Sequence, residues 1–399
     1  MIGEKSKYCA IIIVRLLLKI FSVFPVRKNR IMFNSFNGRD ITCNPKYIYN
    51  ELKREYGEKY EYVWCIGQPQ KRKKYEKMLG IKTVAPKTIK YFYYILTSKV
   101  YISNGIAPSY VPFRKKQCVI GTWHGGGAYK KGGLYLNSSI YMQKVYNLIA
   151  KNVTYVISSC RDFSNKTLQK SFCIPKEKIL EVGMPRNDLF FLNNTEKNKC
   201  LKKKLKILQD EKIVLFAPTF RSRLDGLERE MKSYQTELDY ELLNKSLCQK
   251  FGGKWKILYR AHYYCESDIQ NNLVLDVSDY PDMQELLLIA DILITDYSSS
   301  IWDFIQKRPF CPCFILAEDL KDYMDSRGFY TPITEWPFSL AENNKQLSQN
   351  IQNFDYEIYC LNVQQHLDKL GSFETGTASQ KVAKLIHKVC DKDLVFGRR

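Results

Sequence analysis

The strongest constraint on this chain is an alternation. Apolar runs of strand length are separated by segments with helical periodicity, and the alternation pauses once and restarts. RIMFNSF (Arg30 to Phe36) reads as a strand and NPKYIYNELKREY (Asn44 to Tyr56) as a helix, with Asn44 as its cap and Pro45 at its first position. YEYVWCI (Tyr60 to Ile66) reads as a second strand, and apolar runs follow at Lys99, Gln117 and Val153. A polar, Lys-rich stretch from Asn193 to Asp210 interrupts the pattern. It resumes with KIVLFAP, KWKILYR, NLVLDV, DILITD and PFCPCFI, and TASQKVAKLIHKV (Thr377 to Val389) gives a closing helix. Alternation of this kind builds parallel sheets covered by helices on both faces. At 399 residues the chain is long for a single core. The expectation is therefore an α/β protein of two doubly wound, Rossmann-like domains facing a cleft. Residues 1–28 form a leading segment, 29–207 the first domain, 208–370 the second, and 371–399 a C-terminal helix with a basic tail.

In such sheets ligands bind beyond the carboxyl ends of strands, and that is where the informative residues fall. QCVIGTW runs into His124, Gly125, Gly126 and Gly127, and KWKILYR runs through Arg260 into His262. KIVLFAP runs into Thr219 and Arg221, and DILITD ends at Asp296, ahead of Ser298 and Ser299. EVGMPRND, containing Arg186, follows another short apolar run. A serine-rich turn opening a helix offers hydroxyls and backbone N–H groups to an anion. Glycines let backbone amides approach a phosphate oxygen, and arginines pair with phosphate bidentately. A histidine exchanges a proton near neutral pH. Of the four histidines, His124 and His262 each follow a strand in a different domain, whereas His366 and His387 lie in helical patterns and read as surface or packing residues. The expected ligand is a diphosphate with an acid/base nearby. GGGAYKKGG is not a P-loop, because Gly133 stands where Lys and Ser/Thr are required. No metalloprotease or serine-hydrolase motif occurs, and no clustered metal-ligand set.

A formal charge of +21 favours anionic partners. Tyr8 to Phe24 is strongly apolar but carries Arg15 and Lys19 on one narrow face, too short and too charged to span a bilayer. It is expected to lie in the membrane interface, with Arg27, Lys28 and Arg30 meeting anionic headgroups. Thirteen scattered cysteines without a repeated CxxC suggest reduced thiols and a cytosolic location.

Taken together, NSFNGRDITCNPKYIYNEL, TWHGGGAYKKGG, EVGMPRND, FAPTFR, YRAH and ITDYSSSIWDF resemble the CDP-glycerol glycerophosphotransferases of teichoic acid and related polyol-phosphate biosynthesis, in order and spacing over most of the chain. The resemblance implies a GT-B-like fold, with the acceptor on the first domain and the CDP-polyol on the second. It implies transfer of glycerol phosphate from CDP-glycerol to a hydroxyl of a lipid-linked saccharide or polyol-phosphate acceptor, releasing CMP at the inner face of the membrane. By the motifs, His124 becomes the base on the acceptor hydroxyl, and His262 binds or protonates the diphosphate. Arg221 holds phosphate, with Thr219 and Arg260 from the same motifs, and Asp296, Ser298 and Ser299 bind the nucleotide diphosphate. HGGGAYK and YRAHYY depart from the family's commoner forms, which leaves the acceptor and the choice of CDP-ribitol over CDP-glycerol open. No organic cofactor is expected, and a divalent cation at the diphosphate stays open. Two other readings compete. One is a glycosyltransferase of the same fold, distinguished by a nucleoside diphosphate product. The other is a nucleic-acid binder, for which the chain shows charge but no recognised motif.

Overall fold

A computed structural model describes residues 3–219, 221–225, 228–232, 238–261 and 272–397. The chain divides into two compact units. Unit 1 holds residues up to His124, Gly132–Asp188 and Phe373 onward; unit 2 holds Gly125–Lys131 and Leu189–Ser372.

Unit 1 carries a parallel sheet of seven strands: β1 (Arg27–Asn34), β2 (Glu61–Cys65), β3 (Lys82–Val84), β4 (Ser98–Ser103), β5 (Cys118–Gly121), β6 (Tyr155–Ser158) and β7 (Ile179–Glu181), in the order β3-β2-β1-β4-β5-β6-β7. The central strands are buried on both faces, as parallel strands are when helices cover both sides: the last five residues of β1 and all six of β4 are enclosed. Ile31 pairs with Tyr62 on one side and Val100 on the other. Phe33 stacks on Trp64 at 4.8 Å, with Tyr49 edge-on at 5.7 Å, so the helix Cys43–Tyr56 is fastened by its aromatic face.

Two charges inside this unit are paired. Arg30, 2% exposed, bonds Glu61 at 2.7 Å and Thr97 at 2.6 Å and lies over the Tyr94 ring. It therefore does not meet a headgroup; a strand interior that encloses a guanidinium needs that guanidinium satisfied from within. Fully buried Lys99 reaches Asp393 at 2.6 Å and Leu394 O at 2.8 Å, which binds the chain's last segment to the sheet. The C-terminal helix, Ala378–Asp391, thus belongs to unit 1, and Asp188 accepts from its first amides, Ala378 N and Ser379 N.

Unit 2 carries a parallel sheet of β8 (Lys212–Phe216), β11 (Trp255–Tyr259), β12 (Val274–Asp276), β13 (Ile292–Thr295), β14 (Cys313–Leu316) and β15 (Ser339–Ala341), ordered β12-β11-β8-β13-β14-β15. An antiparallel hairpin, β9 (Arg221–Asp225) and β10 (Glu228–Lys232), follows β8. The Lys-rich stretch forms the helix Thr195–Lys204 and packs within unit 2, through Lys204 over Tyr280 and Lys197 to Glu285. The division falls at Asp188, ahead of the polar composition, because a charged helix face is solvated surface as readily as linker. Among the described residues the cysteines are free thiols.

The N-terminal helix, Glu4–Leu18, packs on Ile140–Asn152 within unit 1. Arg15 turns inward, donating to Ser109 O, to Val111 O at 2.9 Å and to Asn152 Oδ1. The arginine thus anchors the helix, and much of its apolar surface looks out. Ile13, Leu16, Leu17, Ile20 and Val23 are each more than half exposed. No helix among the described residues is long and apolar enough to cross a membrane.

Candidate active site

Each sheet reverses its winding at one seam. In unit 1 the seam lies between β1 and β4, in unit 2 between β8 and β13. Doubly wound sheets take ligands at such seams, beyond the strands' carboxyl ends, and both seams carry residues singled out from the sequence.

Beside the unit 1 seam, next to β4, β5 ends at Gly121 and runs into Thr122, Trp123 and His124. Trp123 has φ 52°, a left-handed kink that ends the strand's direction and presents the next side chain. His124 is exposed, with Trp123 stacked at 4.6 Å and Phe36 at 5.7 Å. Its Nδ1 lies 3.0 Å from Asn104 O. A carbonyl only accepts, so Nδ1 carries a proton, and a neutral ring then keeps its lone pair on Nε2. That is the tautomer of a general base held by its far nitrogen.

Asn44 organises this seam, and the sequence did not show it as more than a cap. The helix begins earlier, at Cys43 after Thr42. Asn44 is fully buried, and its Nδ2 donates to Thr122 O at 3.2 Å and Trp123 O at 3.1 Å. Its Oδ1 accepts from Arg186 N at 3.1 Å. One amide therefore joins three of the segments that carry the resemblance. Arg186, read as a phosphate ligand, is 2% exposed and donates to Cys43 Sγ. The structure encloses its guanidinium in unit 1, beside the helix start it supports.

At the unit 2 seam, Asp296 directly follows β13 and Thr219 lies beyond β8. The Asp296 carboxylate accepts from Thr219 N at 2.8 and 2.9 Å, and from Thr219 Oγ1. Asp296 is 2% exposed. A buried carboxylate turned on its own backbone positions that backbone; facing a diphosphate directly it would repel it. Ser298 and Ser299 follow in a turn where Ser298 Oγ accepts from Ser300 N and Ser300 Oγ. The helix they open, Ser300–Phe304, is only five residues long. Local amides and hydroxyls, more than a long dipole, are what this turn offers an anion. Arg260 follows β11, its N–H donating to Phe216 O at 2.9 Å. Arg221 opens β9. His262 lies outside the described residues.

Gly125 and Gly126 fall in unit 2, and the glycines have a packing reason. A Cβ on Gly126 would stand 2.2 Å from Trp302 Cδ1, and one on Gly127, at φ +74°, 2.8 Å from the same indole. Tyr129, just beyond, bonds His366 Nε2 at 3.0 Å. His387 stacks on Tyr56 at 4.3 Å. Both helical histidines are packing residues. Among the described residues no group of three or more His, Cys, Asp or Glu is placed to hold a metal ion.

The comparisons speak to the fold and the family. The family described as CDP-Glycerol:Poly(glycerophosphate) glycerophosphotransferase matches residues 16–388. The teichoic acid glycerol-phosphate transferase of Staphylococcus aureus is 32% identical, over 93% of this chain and 95% of its own. The teichoic acid poly(glycerol phosphate) polymerase of Staphylococcus epidermidis is 30% identical over 91% of this chain, but the match spans about half (51%) of that polymerase. A solved structure of the wall teichoic acid polymerase TagF superposes with a TM-score of 0.79 at 27% identity, covering 98% of each chain. The fold is GT-B-like, and the chain belongs to the CDP-glycerol:poly(glycerophosphate) glycerophosphotransferase family.

Proposed function

We propose that this chain transfers glycerol phosphate from CDP-glycerol to a hydroxyl of a membrane-linked saccharide or polyol-phosphate acceptor, releasing CMP. The observation that carries the reading is the His124 imidazole, with Nδ1–H committed to Asn104 O, which in the neutral ring assigns the lone pair to Nε2. Nε2 takes the acceptor hydroxyl's proton as its oxygen attacks the phosphorus that bears glycerol. The bond from that phosphorus to the bridging oxygen breaks, and its electrons leave with CMP. Charge spreads over the phosphoryl oxygens, so catalysis is positioning and electrostatic stabilisation. In this reading the amides and hydroxyls of Ser298 and Ser299, with Thr219, Arg260 and Arg221, hold the diphosphate. Asp296 fixes Thr219, and His262 offers a proton or charge to the leaving group.

The outward apolar face of Glu4–Leu18, with exposed Arg27 and Lys28 beyond it, supports a peripheral place on an anionic membrane surface, where the acceptor is anchored. Replacement of His124 by Ala tests the base. Turnover is expected to fall roughly 10²–10⁴-fold while CDP-glycerol still binds. Near-normal turnover would remove His124 from the chemistry.

A further inference from the structure

The chain leaves unit 1 directly after His124, runs through unit 2 as Gly125–Lys131, and returns to unit 1 at Gly132. This strap is bound into unit 2. Residues 125–129 are buried. Tyr129 O accepts from Tyr330 N at 3.0 Å, Lys131 N donates to Gly328 O at 3.2 Å, and Lys131 O accepts from Arg327 Nε at 3.0 Å. At its start, the main chain rests on the indole of Trp302. A Cβ on Gly126 would meet the five-membered ring at Cδ1, and one on Gly127 the six-membered ring at Cε3. One fully buried side chain thus supports two consecutive residues of the strap.

Trp302 also belongs to the serine turn. Its N–H donates to Ser299 O at 3.1 Å, and Ile301 N donates to Ser298 O at 3.3 Å. One residue therefore touches both the turn assigned to the diphosphate and the strap that begins next to His124. The imidazole is fixed at Nδ1 by Asn104 O, while its main chain runs straight into the strap. A shift of the strap therefore re-aims Nε2. A close-packed interior transmits such a shift because it has no space to absorb it. We propose that Trp302 is a positioning residue: a diphosphate that orders the Ser298–Ser299 turn sets the indole, the indole sets Gly126 and Gly127, and the strap brings His124 into line for the acceptor hydroxyl. The base is thereby readied by the donor. This rests on the transferase reading above.

The test uses the full chain and follows hydrogen exchange of the strap amides, with and without saturating CDP-glycerol and with no acceptor. In the wild type the donor is expected to slow exchange across residues 125–131 roughly tenfold. Trp302→Phe keeps the core filled but withdraws one of the two rings, and is expected to weaken that response. Trp302→Leu withdraws both and is expected to abolish it. CDP-glycerol should bind both variants with wild-type affinity. With acceptor membranes added, well below each melting temperature, kcat for CMP release is expected to fall roughly 10- to 100-fold in Trp302→Leu and by less in Trp302→Phe, at unchanged KM for CDP-glycerol. A tryptophan that only fills the core would lower the melting temperature and leave the strap's response to donor intact. Wild-type strap exchange that ignores bound CDP-glycerol, or a folded Trp302→Phe that responds in full at wild-type kcat, would overturn the assignment alone. Bound CDP-glycerol with no CMP formed by the wild type on acceptor membranes would overturn the transferase reading and this proposal with it.

Discussion

Gly126→Ala isolates the reason for the glycines after His124. The backbone at Gly126 is not left-handed, so alanine adds no dihedral strain, unlike at Gly127. The added methyl would lie 2.2 Å from Trp302 Cδ1, 2.7 Å from Cγ and 2.9 Å from Nε1. Carbon atoms in contact sit about 3.5–4.0 Å apart, so the indole would have to retreat by over an ångström. Trp302 is fully buried and has no room to do so. Overpacking of this kind costs about 1–3 kcal/mol. For a unit of this size each kcal/mol lowers the melting temperature by about 2–4 °C, giving a drop on the order of 2–12 °C. The assay is thermal unfolding followed by tryptophan fluorescence, with Trp302→Leu and the double variant. If the clash is the cause, the double variant is more stable than the two single losses sum to. An unchanged melting temperature, together with a raised KM for CDP-glycerol, would refute the packing argument and return Gly126 to direct phosphate contact.

Other consequences follow from the same geometry. Thr219→Val removes one donor to Asp296 and is expected to raise KM for CDP-glycerol roughly tenfold without affecting acceptor KM, checked by initial rates. Glu61→Ala leaves Arg30 buried and unbalanced, at a cost of about 3 kcal/mol read by denaturant unfolding. Burial raises the Glu61 pKa, but the bonds from Arg30 and Lys82 outweigh it and the net shift is downward. Its contribution is therefore present above the ordinary carboxylate range and lost as pH falls through the lowered folded value. The variant's stability should flatten with pH in that acidic window, and an unchanged slope would count against the pairing. Leu17→Asp with Ile20→Asp is expected to abolish sedimentation with anionic vesicles while leaving the melting temperature unchanged, because both side chains already face outward.

Much of the fold was legible because its signal is local. The strands at Ile120, Leu215 and Ile294 are near-continuous apolar runs of strand length, and covered parallel sheets demand that pattern. The positions of His124, Thr219 and Asp296 followed from where those runs stop. What escaped depends on direction and partner, which no local pattern carries. Asn44 reads as a helix cap and Asn104 as an ordinary loop asparagine until the strands beside them fix what their amides face. Arg186, read as a phosphate ligand, and Arg30, read as a headgroup contact, look the same in sequence whether the partner is a ligand or the chain's own carboxylate, thiol or hydroxyl. The N-terminal segment's charged stripe was legible, but which way it faced was set by the carbonyls of Ser109 and Val111, far along the chain.

The central claim is the reaction, and CMP release tests it most directly. Purified protein is incubated with CDP-glycerol, CDP-ribitol or a UDP-sugar, with membranes bearing the saccharide or polyol-phosphate acceptor. CMP produced from CDP-glycerol only when acceptor is present, and lost in His124→Ala, is the predicted result. CMP from CDP-ribitol alone would correct the donor. UDP release from a UDP-sugar, with no CMP from either polyol donor, would contradict the account.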